Sequence, residues 1–302
     1  MIVSGSFAKD LYPGVRKWWG QAYDEYPVEY TKLFESEKTS RAYEEYVQFT
    51  GLGLAAVKRE GASITYDDMS QGWLTRFVPV NYGLGFVISR EMVEDGISGI
   101  VGKKRAKYLA FSGRQTKEIT GANIYNRAFS SSYLGPDGQS LLSTAHVNFT
   151  GGTFSNRLST DADLSEASLE QMCIDIAGAQ NDRGLKIALR PDKLCIPYQL
   201  EFEAERILGS TYRVGTADND INALRALGKF PGGICISHYF TDSDAWFIRT
   251  NVKDDGMVYF SRSAPRFDMD NEFETENAKF KYTERYTFGY GDPRTLFGTS
   301  GA

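Results

Sequence analysis

NDRGLKIALRPDKLCIPYQLEFEAERILGS, residues 181–210, decides what kind of chain this is. KLCI (193–196) is a short apolar run bounded by polar residues and a proline, which reads as a buried strand. Pro197 opens a helix, because its fixed φ suits a first turn and its missing N–H is not needed there. That helix, YQLEFEAERIL, closes at Gly209. Upstream, Ser165 suits the N-cap of another helix, with Leu164 and Leu169 at hydrophobic-staple positions and Glu166 and Glu170 near its positive end. Leu169, Met172, Cys173, Ile176 and Ala177 form one apolar face, and Gly184 is a natural stop. Helix, strand and helix within 165–209 predict an α+β chain.

Outward from this block, no proline interrupts Ser98 to Phe129. Ser98 can cap a helix there, and a continuous one would run about 48 Å at 1.5 Å per residue. Gly113 and Gly121 are places to bend or break it. Lys103, Lys104, Arg105 and Lys107 give it a basic, solvated start. Before it, Gly51, Gly53, Gly61, Gly72, Gly83 and Gly85 punctuate the β-type runs SITY (63–66) and TRFVPVNYGLGFVIS (75–89), so a long ribbon is expected over 51–85. Pro79 lacks a backbone donor and suits an edge or a two-stranded arm. Residues 1–50 string Trp18, Trp19, Tyr23, Tyr26, Tyr30 and Phe34 between charges, without a stripe for a core of their own. They need something to pack on, either the chain's own body or a neighbour.

The last third is strand-rich: GICIS (233–237), AWFIR (245–249) and MVYFS (257–261). Phe280, Tyr282, Glu284, Tyr286, Phe288 and Tyr290 then alternate with Lys281, Thr283, Arg285, Thr287 and Gly289, a period of two with one mostly aromatic face.

Composition narrows the function. With 41% apolar and 24% charged residues in 302, the chain can bury a real core. Its 19 Phe, 18 Tyr and 4 Trp serve that core, or surfaces that meet. A net charge of -5 argues against a free nucleic-acid binder and is compatible with a wall that encloses DNA without trapping it. Cys173, Cys195 and Cys235 are dispersed and only His146 and His238 accompany them, which disfavours a disulfide framework or a metal site. The start MIVSGSFAKDLYPG lacks the pattern of a signal peptide, and no apolar run approaches membrane length. A soluble protein made in a reducing cytoplasm is expected.

Candidate chemistry is sparse. GLGLAA (51–56) imitates a dinucleotide fingerprint but lies in a Gly-punctuated ribbon followed by Lys58 and Arg59, not between a strand and a helix. Asp67-Asp68 and Asp254-Asp255 are acidic pairs of a kind usually solvated in turns. His146 and His238 stand near no nucleophile motif. No catalytic residue, cofactor or metal ligand is assigned, and no enzyme is expected.

Three stretches, taken in order, carry a resemblance. GPDGQSLLSTAH (135–146) with NFTGG after it, the 181–210 block, and YFTDSDAWFIRT (239–250) are similar to signature segments of tailed-bacteriophage major capsid proteins. YGLGFVISREMVEDG (82–96) fits the approach to that family's long spine helix. The likeness covers about 82–290 and is greatest to the Mu-like major head subunits.

The resemblance implies a Hong Kong 97-type capsid fold. Its parts would be an N-terminal arm (1–50), an E-loop ribbon (51–85) and a peripheral domain (86–184) with spine helix 98–129. An axial domain (185–270) and a return to the peripheral domain (271–302) complete it. It implies a chain that assembles with itself into hexameric and pentameric capsomers of an icosahedral shell around double-stranded DNA, bound without sequence specificity. Scaffolding, portal and decoration proteins are the implied partners. The implied location is the virion, after assembly in the host cytoplasm. Lys58, Arg59 and Arg76 on the ribbon, with Trp18 and Trp19 in the arm, are the candidate inter-subunit contacts. An encapsulin-like compartment around a cargo enzyme is the alternative within the same fold, and a nucleotide-binding enzyme a more distant one.

Overall fold

A computed structural model describes residues 7–95, 98–213, 220–253, 255–272 and 274–302. Helix α1 (Phe7–Glu25) turns Val15, Trp19, Ala22 and Tyr23 inward, an i, i+4, i+7, i+8 face that packs on the chain's own body. One-turn helix α2 (Tyr30–Leu33) and strand β1 (Glu35–Lys38) follow.

Strands β2 (Glu44–Phe49) and β3 (Gln71–Phe77) pair antiparallel, from Glu44 opposite Phe77 to Phe49 opposite Gln71. The ribbon is therefore 44–77 rather than 51–85, and SITY lies in no strand. The expected run 75–89 breaks at Val78-Pro79, and β4 (Val80–Ile88) leaves the ribbon for the main sheet. Proline supplies the break by withholding a ladder donor. Gly85 permits the transfer, since a Cβ there would stand 2.6 Å from the Phe280 carbonyl oxygen.

After helix α3 (Arg90–Glu94) comes the long helix α4 (Ser98–Asn126), 29 residues or about 44 Å. The Ser98 side chain lies outside the described residues. The helix runs unbroken through Gly113 and Gly121. They make room for Tyr282 and Phe288, whose rings would lie 2.8 and 3.2 Å from an added Cβ. Strands β5 (His146–Val147) and β6 (Thr153–Phe154) form a small hairpin. Helix α5 (Glu166–Gly178) starts as expected, with Ser165 and Ser168 in a reciprocal cap and Leu164 and Leu169 buried. It stops before Gly184, because Gln180 pairs with Lys186 and the Asn181 side chain accepts the N–H groups of Arg183 and Leu185.

The remaining elements are β7 (Pro191–Pro197), a 3-10 turn at Tyr198–Leu200, α6 (Glu201–Gly209), α7 (Ala223–Ala226), β8 (Ile234–Ser237), β9 (Trp246–Thr250), β10 (Met257–Asn271), β11 (Ala278–Tyr290) and β12 (Leu296–Thr299). One sheet has the order β1-β10-β11-β4 and the other β12-β9-β7-β8. Residues 257–270, expected with 185–256, thus belong to the first sheet. Residues 296–299, expected with the first sheet, cross to the second.

The aromatic alternation of β11 faces α1 and α4, with Phe280, Tyr282, Tyr286 and Phe288 buried. A core running from Leu33 and Phe34 through Tyr125 to Phe247 and Tyr286 joins the two sheets. A second core of Leu169, Met172, Ile176, Leu194 and Trp246 lies under α5 and α6.

Candidate assembly surface

Between the ribbon strands, residues 50–70 form a loop built by its own polar contacts. Thr50 and Ser70 close its base: the Thr50 N–H donates to the Ser70 carbonyl and the Ser70 N–H to the Thr50 hydroxyl, each at 3.1 Å. The Asp67 carboxylate accepts the N–H of Gly53 at 2.7 Å and that of Asp68 at 3.0 Å, which holds its pKa below the usual carboxylate value. Arg183 reaches over from the turn after α5 and donates to the Asp68 carbonyl at 2.8 Å. The first acidic pair is thus a loop brace. Of the second pair, Asp254 lies outside the described residues.

The ribbon's foot is apolar. Phe77 packs on Tyr46 and Phe260 with ring centroids 5.1 and 5.3 Å away. Gly289 and Gly291 keep the floor flat beneath it, since a Cβ on either would run into Phe77 or Tyr46. Beyond the foot the surface remains uncovered. Leu54, Val57 and Tyr66 are 84%, 95% and 92% exposed, and Phe49, Leu52, Ile64 and Met69 are exposed with them. A run of uncovered large apolar side chains on an extension marks a surface that meets another molecule.

The sequence-chosen contacts divide. Lys58 and Arg59 stand exposed at the loop tip, where the Ala62 N–H donates to the Arg59 carbonyl and Gly61 takes a left-handed φ of +77°. Arg76 pairs with Glu45 across the ribbon at 2.6 Å and covers the Tyr43 ring, so part of its charge is spent within the chain. Trp18 is half-buried. Trp19 is a correction: it is buried between Tyr23 and Phe267, with centroids 5.2 and 5.5 Å away, because it falls on the inner face of α1. The exposed apolar loop residues were missed for lack of periodicity to mark them. The GLGLAA stretch lies in this loop, with no helix N-terminus after it to receive a pyrophosphate.

The N-terminal helices and the body are joined by a buried polar centre. Lys117 of α4 and Glu284 of β11 form an ion pair in which both side chains are nearly inaccessible. The hydroxyls of Tyr23 and Tyr282 donate to the same carboxylate. Arg114 donates to the Tyr23 carbonyl at 2.9 Å, and Glu118 accepts the N–H of Tyr30 at 2.9 Å. Burial pulls the Lys117 ammonium below its usual pKa, against the opposing pull of Glu284.

The histidines are structural too. His146 Nδ1 lies 2.5 Å from the Asp137 carboxylate and Nε2 3.0 Å from Asn156 Oδ1. Asn156 in turn donates to the carbonyls of Leu141, Pro293 and Leu296, binding the GPDGQSLLSTAH turn to the start of β12. His238 pairs with Glu29 at 2.6 Å. Among the described residues no group of His, Cys, Asp and Glu could hold a metal ion, and no helix is long and apolar enough to cross a membrane.

A two-sheet body, a long helix behind one sheet and an outlying ribbon define the Hong Kong 97-type capsid fold. The virus-like particle from Pyrococcus furiosus shares it with a TM-score of 0.55 and 11% identity, over 94% of this chain and 97% of that one. The procapsid of bacteriophage JBD30 gives 0.53 and 13%, over 97% and 75%. The mature capsid of bacteriophage PhiM1 gives 0.53 and 12%, over 90% and 86%. No curated protein matches by sequence.

The phage capsid protein family matches residues 75–298, and the chain belongs to that family. It is a structural subunit of the virion shell. The match is to the family at large and singles out no Mu-like branch.

Proposed function

We propose that the chain is the repeating unit of an icosahedral phage head, assembled from hexameric and pentameric capsomers around double-stranded DNA. The uncovered apolar loop at 50–70 carries this reading, because such a surface is stable only when a neighbouring copy buries it. In this reading α1 to β1 serve as the N-terminal arm and the 44–77 ribbon as the E-loop. The first sheet and α4 serve as the peripheral domain, and the second sheet with α5 to α7 as the axial one. Scaffolding, portal and decoration proteins complete the head, which assembles in the host cytoplasm. The net charge of -5 suits a wall that contains DNA without binding its sequence.

Electron microscopy of purified protein tests the proposal, with residues 52–68 replaced by a short Gly-Ser bridge that keeps the Thr50–Ser70 closure. The expected result is shells from the parent chain and folded but unassembled subunits from the variant. Shells of normal yield from the variant, or subunits of the parent that never associate with scaffold present, would refute it. An encapsulin-like role predicts particles filled with a cargo protein rather than DNA; membership of the phage capsid family favours DNA.

A further inference from the structure

Cys195 and Cys235 face each other across the parallel pair β7 and β8, where Leu194–Pro197 run in register with Ile234–Ser237. Residues in register on adjacent parallel strands project to one face, on strands about 4.8 Å apart. That spacing falls inside the range of about 4.4–6.8 Å between Cα atoms that a disulfide spans. Both side chains are buried in the same core, whereas Cys173 belongs to the separate core under α5. Strand β8 is the outer strand of its sheet. Local opening of that edge admits a small reagent to Cys235 while β7 stays paired with β9.

We propose that Cys195 and Cys235 are an oxidisable pair that a peroxide closes into an intrachain disulfide, stapling β8 to β7. The Cys235 sulfur, as thiolate, attacks one peroxide oxygen. The O–O bond breaks, the sulfur keeps a hydroxyl, and the departing hydroxide takes up the proton that the thiol released. The Cys195 thiol then attacks that sulfur, the S–S bond forms, and the hydroxyl leaves as water with the second thiol proton. Two thiols are oxidised and one peroxide is reduced to two waters. Cys235 takes the attacking role because it lies on the outer strand, the edge that local opening exposes first. A reducing cytoplasm keeps the pair open, and an oxidising medium closes it. The closed loop would tether α6 and α7 between its ends.

The test needs only the soluble full-length chain, so it stands apart from the shell reading. The chain is treated with hydrogen peroxide, denatured, alkylated and mapped by mass spectrometry. Untreated protein takes label at its three free cysteines. Treated protein is expected to take label at Cys173 alone, to yield a peptide linked through Cys195 and Cys235, and to revert with dithiothreitol. Its thermal midpoint should rise by about 5–10 °C. Label at all three positions, sulfinic acid in place of the link, or links through Cys173 or between chains would overturn the proposal. Cys173→Ser should keep the link and Cys235→Ser should abolish it; the map of the parent chain decides even where a variant does not fold.

Discussion

At the scale of single residues, Glu284 is the informative one. It occupies an inward position in the alternating aromatic face of β11, so the period of two already placed a carboxylate in the core. Its partner was not legible, because Lys117 sits in a helix whose glycines and scattered charges show no clean stripe. Lys117→Met should lower stability by roughly 3–5 kcal/mol in urea unfolding, since it strands a buried charge. Adding Glu284→Gln should recover part of that loss, because glutamine still accepts from Tyr23 and Tyr282. Asp161 makes a pH prediction. Hydrogen bonds from Arg157, opposed by partial burial and aided by Thr299, hold its pKa below the ordinary 3.8. A depressed carboxylate stabilises the fold above its unfolded value, and that contribution fades as pH falls through the folded value. Asp161→Asn should therefore cost about 1–2 kcal/mol at neutral pH. The gap between variant and parent should begin to narrow below about pH 4 in unfolding curves and close only once Asp161 is protonated in the folded chain.

At the scale of elements, the caps and the alternation were readable, but glycine was not. Ser165 caps α5 as its chemistry suggests, whereas Pro197 stays in β7 ahead of a 3-10 turn, so that α6 begins only at Glu201 and has Gly209 as its last helical residue. Gly113 and Gly121 looked like breaks because their purpose lies on another strand. Gly113→Ala should destabilise the fold by roughly 1–2 kcal/mol despite alanine's better helix propensity, because its methyl meets Tyr282. Gly99→Ala in the same helix, with no neighbour within 4 Å, should be neutral or stabilising by up to about 1 kcal/mol. Calorimetry of the pair separates packing from propensity. The ribbon boundary was misread for a similar reason: only the partner strand β11 reveals that Val80–Ile88 belongs to a different sheet from Gln71–Phe77.

At the scale of the molecule, the family was legible from three ordered segments, and the contact surface was not. Lys58, Arg59 and Arg76 stand out in the sequence by their charge, whereas Leu54, Val57 and Tyr66 carry no local sign of being uncovered. The double change Lys58→Glu, Arg59→Glu should leave the thermal midpoint of the free subunit unchanged and slow assembly, more strongly at low salt, as followed by light scattering.

The pairing order of the first sheet has a consequence for synthesis. β1 and β4 emerge early from a ribosome, yet they bond to β10 and β11, which emerge near the end. The β2–β3 hairpin closes locally and needs neither. Each nascent chain therefore displays its apolar loop well before it owns a body, a window in which polysome neighbours can stick to one another. Slower translation lengthens that window, so soluble yield is expected to fall as elongation slows and to recover when a helper shields the unfinished chain.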